Sequence, residues 1–103
     1  MTDEIKKKIE SDIKNNKVML YMKGTPAEPQ CGFSAQVVSV LKGYNVPLKT
    51  FNILEDEEIR QGIKEYSDWP TIPQLYVNGE FIGGCDVVTE LHSSGELAQL
   101  LKI

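Results

Sequence analysis

The feature that most constrains the fold is a strand, helix, strand pattern between residues 18 and 54. The apolar run Val18–Met22 is too short for a buried helix and predicts a buried strand. After a loop at residues 23–30, apolar residues recur at helical spacing from residue 33 to residue 41. Residues 48–54 then alternate between apolar and polar and predict a second strand. Together these elements predict a right-handed βαβ unit with parallel strands.

A further helix is predicted before this unit. Thr2 or Asp3 can cap its start, and Ile5, Ile9 and Ile13 follow at a spacing of four that places them on one face. Charged and polar residues cover the rest of the helix. The pattern favours a helix that packs on the domain, and a surface that binds a partner protein is the alternative.

A third helix is predicted after the second strand. It starts among the acidic residues 55–58, whose negative charge suits a helix N-terminus. Ile59, Ile63 and Tyr66 form its predicted buried face, and Arg60 is expected to lie off that face.

The last third of the chain predicts a hairpin and two helices. Strands at residues 74–77 and 80–82 are joined by Asn78-Gly79, a strong hairpin signal. Asp86 is expected to cap a fourth helix, and residues 96–101 form a short last helix. The order of elements predicts one α/β domain spanning residues 1–103. The predicted architecture is a thioredoxin-like fold, in which a mixed four-stranded sheet is flanked by helices and an extra helix lies at the N-terminus.

Composition and charge narrow the possible functions. The net charge of −4 argues against binding to nucleic acid or to an anionic membrane. The longest apolar runs are far shorter than the roughly 20 residues of a membrane helix. Two cysteines are too few for a disulfide scaffold and suit a reducing compartment. No signal or transit pattern is visible, so a cytoplasmic (bacterial) protein is expected; a mitochondrial or plastid matrix location is the alternative if a presequence was removed.

Cys31 is the residue that points most clearly to chemistry. It lies where a loop containing Pro26 and Pro29 meets the predicted start of a helix. A helix N-terminus favours the thiolate, which is both the nucleophile and the metal ligand. Dithiol redox motifs carry a second cysteine three residues later, but this chain has Ser34 there. The site therefore needs an outside thiol or a metal; a buried structural cysteine is the alternative for Cys31.

Three segments carry a family resemblance. They are Lys23-Gly24-Thr25-Pro26 with Pro29 and Cys31-Gly32-Phe33-Ser34, then Trp69-Pro70-Thr71-Ile72-Pro73-Gln74, and last Gly83-Gly84-Cys85-Asp86. In this order and spacing they resemble the monothiol, CGFS-type glutaredoxins over nearly the whole chain.

This resemblance implies a glutathione site with Cys31 as the catalytic residue. The implied glutathione-binding residues are Lys23, Cys31, Phe33, Arg60, Thr71, Ile72, Pro73, Gly84, Cys85 and Asp86. The family implies a cis bond before Pro73, with the backbone of Ile72 turned toward the ligand. The alternative is that this proline only makes the turn rigid.

Several of these residues have alternative roles. Lys23 and Arg60 could be ordinary surface charges, and Asp86 could serve as a helix cap only. Cys85 is expected to contact glutathione through its backbone, and a redox partner of Cys31 is the alternative. His92 is expected on the surface of a helix. Trp69 is expected to pack and to fix its loop, with contact to a partner protein as the alternative.

The resemblance also implies a [2Fe–2S] cluster shared by two chains. Such a cluster needs four terminal ligands, and Cys31 from each subunit of a homodimer plus two glutathione sulfurs supply them. The implied function is a cluster carrier in iron–sulfur biogenesis and iron homeostasis, with BolA-like proteins and iron–sulfur acceptor proteins as partners. The apo chain is expected to be a monomer. A glutathione-dependent oxidoreductase that removes glutathione from proteins through Cys31 is the alternative, although this group of glutaredoxins is poor at that reaction. A redox sensor using Cys31 and Cys85 is a third possibility.

Overall fold

The protein is represented by a computed structural model, which describes residues 1–101. Its elements, in chain order, are α1 (Asp3–Asn15), β1 (Val18–Met22), α2 (Gly32–Lys42), β2 (Lys49–Asn52), a short 3-10 helix (Ile53–Glu55), α3 (Glu57–Ser67), β3 (Gln74–Val77), β4 (Glu80–Gly83), α4 (Cys85–Ser94) and α5 (Glu96–Leu101).

The four strands form one mixed sheet in the order β2-β1-β3-β4. β1 runs parallel to β2 and antiparallel to β3, and β4 pairs with β3 as an antiparallel hairpin. Asn78 and Gly79 connect the hairpin with positive φ angles of 52° and 83°, as the Asn-Gly signal requires. The predicted βαβ unit and the mixed four-stranded sheet are thus confirmed.

Helices cover both faces of the sheet, and each face has its own hydrophobic core. On one face, α2, α4 and α5 pack over alternate residues of β1, including Leu20 and Met22. On the other, α1 and α3 pack over Met19 and Tyr21. All five residues of β1 are buried because this central strand has a core on each side. No helix in residues 1–101 is both long and apolar enough to cross a membrane.

The start of α1 follows the expected pattern. Thr2 is the cap, since its Oγ1 accepts a hydrogen bond from the backbone N–H of Ile5 at 3.2 Å. Ile9 and Ile13 are buried against the sheet, and Ile5 is half-buried. The helix packs on α3, as the isoleucine spacing predicts.

The prediction of a strand over residues 48–54 was too long. β2 ends at Asn52, and Ile53 begins a 3-10 helix. The side chain of Asn52 accepts hydrogen bonds from the backbone N–H groups of Leu54 at 3.0 Å and Gly24 at 2.9 Å. This capping turns the chain away from the sheet. α3 then begins at Glu57, with Asp56 as its cap, slightly later than the first acidic residue suggested.

The prediction that Asp86 caps α4 was wrong. Gly84 is the cap, α4 begins at Cys85, and Asp86 lies in the first turn. β4 extends one residue further than expected, to Gly83. A Cβ atom on Gly84 would lie 3.2 Å from the carbonyl oxygen of Pro73. The glycine therefore lets the start of α4 approach the Pro73 segment closely.

Candidate functional site

A cavity of ≈ 490 Å³ lies where α2 and α4 begin. Nine of the ten residues that the sequence analysis assigned to a ligand site line it, and they come from four separate parts of the chain. They are Lys23, Cys31, Phe33, Thr71, Ile72, Pro73, Gly84, Cys85 and Asp86. The volume suits a ligand of a few hundred daltons.

Cys31 lies at the N-cap position of α2 and is half-buried. The backbone N–H of Ser34 is the main group that lowers the pKa of its thiol, with help from the backbone N–H of Phe33, the charge of Lys23 and the hydroxyl of Ser34. Partial burial opposes these effects, but the net pKa lies below the ordinary value. The site therefore favours the reactive thiolate.

Ser34 is fully buried, and its Oγ accepts a hydrogen bond from the backbone N–H of Lys23 at 3.1 Å. The position that holds a second cysteine in dithiol motifs is thus occupied by a hydroxyl inside the domain. A hydroxyl forms no disulfide, so a disulfide within the motif is excluded.

The loop before Cys31 is tightly hydrogen-bonded. Gly24 pairs with Pro29 across the loop, and the N–H of Gln30 donates to the carbonyl of Lys23 at 2.9 Å. Gly24 has φ +89°, and a Cβ on it would lie 2.5 Å from the carbonyl oxygen of Glu28. These contacts restrict the loop to one backbone conformation and fix the backbone of Lys23 beside the cavity.

The Ile72–Pro73 peptide bond is cis, as the resemblance implied. Ile72 is only 7% exposed but still lines the cavity. The residue after Pro73, Gln74, is fully buried and bonds to the carbonyl oxygens of Trp69 and Thr71.

Arg60 is the one assigned residue that does not line the cavity. It lies on α3 with Nη1 3.7 Å from Oε2 of Glu57, so its charge is partly paired. Lys64, one helical turn later on α3, lines the cavity instead. The spacing of four between these two cations was a visible signal, but the sequence alone does not say which turn of α3 faces the site.

Three other lining residues, Trp69, Pro70 and Val87, were not predicted from the sequence. Trp69 was expected to pack and fix its loop, and its ring does lie 6.1 Å from that of Phe81. It nevertheless remains 42% exposed, and Phe33 is 61% exposed. The cavity therefore has two exposed aromatic rings at its rim.

Cys85 is a free, half-buried cysteine that shares the cavity with Cys31. His92 is exposed on α4, as expected, and hydrogen-bonds through Nδ1 to the hydroxyl of Tyr44. Within residues 1–101, no three or more His, Cys, Asp or Glu side chains are grouped closely enough to hold a metal ion.

Comparison with known proteins identifies the family of the chain. The glutaredoxin family model matches residues 18–82. A monothiol glutaredoxin from Synechocystis is 54% identical over 103 residues, which is 100% of this chain and 96% of that protein. The mitochondrial monothiol glutaredoxin S15 of Arabidopsis thaliana is 54% identical over 101 residues; the match covers 98% of this chain but 60% of that protein.

Solved structures give the same result. The solution structure of reduced apo GrxS14 from poplar has a TM-score of 0.84 at 52% identity, with 95% of this chain and 90% of that chain covered. A buckwheat glutaredoxin, solved as its glutathione complex, has a TM-score of 0.85 and covers 99% of this chain and 94% of that one. At 23% identity the buckwheat protein shows the shared fold only. The family match and the relatives agree, and the chain belongs to the glutaredoxin family, among its monothiol members.

Proposed function

We propose that the cavity binds glutathione with its sulfur next to Cys31. Glutathione carries a carboxylate at each end and an ammonium group at one of them. The cavity offers two cations, Lys23 and Lys64, and the start of α4, where backbone N–H groups face outward. Such groups suit carboxylates. Asp86, in the first turn of α4, suits the ammonium.

The remaining lining residues complete this binding mode. The backbone of Ile72 pairs with the cysteine backbone of glutathione, as an added strand would. Thr71, Pro73 and the ring of Phe33 shape the wall around the ligand, and the backbone of Gly84 and Cys85 holds one carboxylate. Lys64 makes the direct contact with a glutathione carboxylate that was expected of Arg60. Arg60 contributes a weaker, longer-range attraction to the ligand.

The function that this site supports best is an iron–sulfur cluster carrier. Its cargo is a [2Fe–2S] cluster whose irons are bound by Cys31 of two chains and by two glutathione sulfurs. The donor set fits, since iron–sulfur clusters are held by thiolates and the pKa of Cys31 is lowered. Under this proposal one chain contributes only the thiolate of Cys31, so a second chain and glutathione supply the other ligands. Because half of the ligands diffuse freely, the cluster is readily released to an acceptor.

Partners follow from the same proposal. The holo form is a homodimer and the apo form a monomer. A BolA-like protein can replace one chain, and iron–sulfur acceptor proteins receive the cluster in cluster biogenesis and iron homeostasis. The rim formed by Phe33 and Trp69, both substantially exposed, lies where such a partner would approach Cys31.

The observation that carries this proposal is the half-buried Cys31 with a lowered pKa at the start of α2, in a cavity that also holds two lysines. The test is anaerobic mixing of the chain with iron, sulfide and glutathione, followed by visible absorption. The wild type and Cys85→Ser are expected to show cluster bands, and Cys31→Ser is expected to show none. The carrier proposal fails if the wild type stays colourless, or if Cys31→Ser keeps its cluster.

An oxidoreductase is the second candidate, favoured by the same reactive thiolate. Cys31 would attack the glutathione sulfur of a protein–glutathione disulfide, so that the S–S bond breaks and the protein thiol leaves with a proton. A second glutathione thiolate would then attack the Cys31–glutathione disulfide and release glutathione disulfide. Fast turnover of a glutathionylated peptide by a chain that binds no cluster would favour this enzyme.

A further inference from the structure

Gln74 lies fully buried at the start of β3, directly after Pro73. Its side-chain Nε2 donates to the carbonyl oxygen of Trp69 at 3.1 Å and to that of Thr71 at 3.2 Å. Its Oε1 accepts a hydrogen bond from the hydroxyl of Tyr76 at 3.1 Å. Both amide hydrogens and the amide oxygen therefore have partners inside the domain, where an unpaired polar group is costly.

The two carbonyl groups that Gln74 holds belong to the cavity wall. Residues 69–73 all line the cavity, and they form a segment without regular secondary structure between α3 and β3. Such a segment has no ladder of backbone hydrogen bonds to fix it. Side-chain hydrogen bonds must supply that restraint.

The N–H of Trp69 is held from the opposite direction. It donates to Oγ of Ser67 at 3.1 Å and to the carbonyl oxygen of Lys64 at 3.2 Å, both at the end of α3. The main chain of Trp69 is thus anchored on its N–H side by α3 and on its carbonyl side by Gln74. Removal of the Gln74 donors breaks the bond to the carbonyl oxygen of Trp69 and leaves the bonds of its N–H group to α3.

We propose that Gln74 is a positioning residue that holds residues 69–73 in the conformation that forms the cavity wall. It touches no ligand itself. Its effect on ligand affinity rests on the proposed glutathione site, whereas its effect on the segment does not.

Two substitutions separate this role from simple filling of space. Gln74→Met keeps the length of the side chain but has no donor. Gln74→Glu keeps the shape, but a carboxylate would point an acceptor at two carbonyl oxygens. Tyr76→Phe removes the bond to Oε1 and leaves both bonds that Gln74 donates, so it serves as the mild variant.

Trp69 supplies a direct readout because it is the only tryptophan of the chain. We expect both Gln74 variants, held well below their melting temperatures, to show red-shifted indole emission and stronger quenching by acrylamide. We expect the dissociation constant for glutathione, measured by calorimetry, to rise roughly tenfold. Tyr76→Phe should change each quantity by less.

Two controls isolate the cause. Gln99→Glu makes the same chemical change on the exposed face of α5 and should leave emission and affinity unchanged. Leu97→Ala, at a fully buried position of α5, should lower the melting temperature while leaving the indole emission unchanged. A structural role alone would make the Gln74 variants behave like Leu97→Ala.

The proposal is overturned if folded Gln74→Met and Gln74→Glu keep the wild-type emission, quenching and glutathione affinity. If neither variant folds, the wild-type protein decides by NMR. The side-chain amide hydrogens of Gln74 should exchange with solvent far more slowly than those of Gln99 and should shift when glutathione is added; fast exchange overturns the proposal. If the wild type binds no glutathione, the proposed function fails, and the indole emission of the variants still tests the positioning role.

Discussion

The backbone N–H of Lys23 donates to Oγ of Ser34 at 3.1 Å, although the two residues are eleven positions apart. This bond ties the end of β1 to the first turn of α2. The same hydroxyl helps to lower the pKa of Cys31. Ser34 is therefore more than a missing second thiol, because it connects the loop residue that carries a positive charge with the residue that carries the thiolate.

Ser34→Ala is expected to raise the pKa of Cys31. The substitution removes the hydroxyl that favours the thiolate and leaves the N–H of Lys23 without its acceptor. The measurement is a titration of thiolate absorbance in the ultraviolet, in a Cys85→Ser background where one thiol remains. Ser39→Ala, at an exposed position of α2, is the matched control and should titrate like the parent. An unchanged midpoint in Ser34→Ala would contradict the role given to the hydroxyl.

The rate of alkylation of Cys31 is expected to depend on pH with a midpoint below that of the unfolded chain. A lowered pKa means that the thiolate persists as the pH falls below the value at which an ordinary cysteine protonates. Lys23→Ala should move the midpoint toward higher pH because the positive charge beside the thiolate is lost. Lys7→Ala, on the exposed face of α1, should not move it. Equal midpoints for the folded and unfolded chains would show that the site does not favour the thiolate.

The fold was predictable from the sequence where periodicity decides the structure. The five-residue run of β1 and the isoleucines of α1 each form the predicted element because burial follows their spacing. The predictions failed at Asn52, whose side chain caps a 3-10 turn, and at Gly84, which takes the cap position expected of Asp86. In both places, neighbouring residues compete to cap a helix. The spacing of apolar residues does not predict which of them becomes the cap.

The motifs of the site could be predicted from the sequence, but the full set of residues that line the cavity could not. Ten residues were predicted for the site, and nine of them line the cavity. All nine belong to the segments that resemble glutaredoxins, so the resemblance identified them as one set. Lys64 was missed because the rotation of α3 decides which of its cations faces the cavity. That rotation is fixed by tertiary packing of Ile59 and Ile63 on the sheet, not by charge.

Lys64→Ala is expected to weaken glutathione binding by roughly 1–3 kcal/mol. Lys64 lines the cavity, so its charge is available to a ligand carboxylate. Arg60→Ala is the comparison, and we expect a smaller loss because Arg60 lies outside the lining and is partly paired with Glu57. Calorimetric titration of both apo variants measures this. A larger loss in Arg60→Ala would restore the original assignment of Arg60 as the direct contact.

Gly24→Ala is expected to destabilise the fold by roughly 1–3 kcal/mol. Its φ of +89° disfavours any side chain, and the added Cβ would lie 2.5 Å from a backbone oxygen, which has little freedom to move. Gly32→Ala is the matched control, since Gly32 is the first residue of α2 and no atom beyond its chain neighbours and its own helix backbone lies within 4 Å of its Cβ position. It should be neutral or slightly stabilising. Urea denaturation of the two variants makes the comparison, and equal stabilities would mean that the loop before Cys31 is free to adjust.

Cluster and dimer are expected to form one equilibrium. Under the carrier proposal each chain contributes the thiolate of Cys31, so the cluster itself links two chains. Apo protein should be monomeric, and protein loaded with cluster should be dimeric. Free glutathione is a ligand in this assembly, so its removal should break cluster and dimer together by mass action, and dilution should do the same. Light scattering recorded alongside visible absorbance, during stepwise removal of glutathione, follows both signals.

The two signals separate the possible assemblies because each failure has its own pattern. A dimer that persists after the absorbance is lost would indicate a protein–protein interface that forms without the cluster, and the exposed rings of Phe33 and Trp69 would be the first residues to test for it. Absorbance that persists in monomers would exclude Cys31 of a second chain as a ligand. Cys85→Ser should leave both signals coupled as in the wild type, since the proposal uses only the backbone of that residue. Uncoupling of the signals in Cys85→Ser would instead make its thiol part of the assembly.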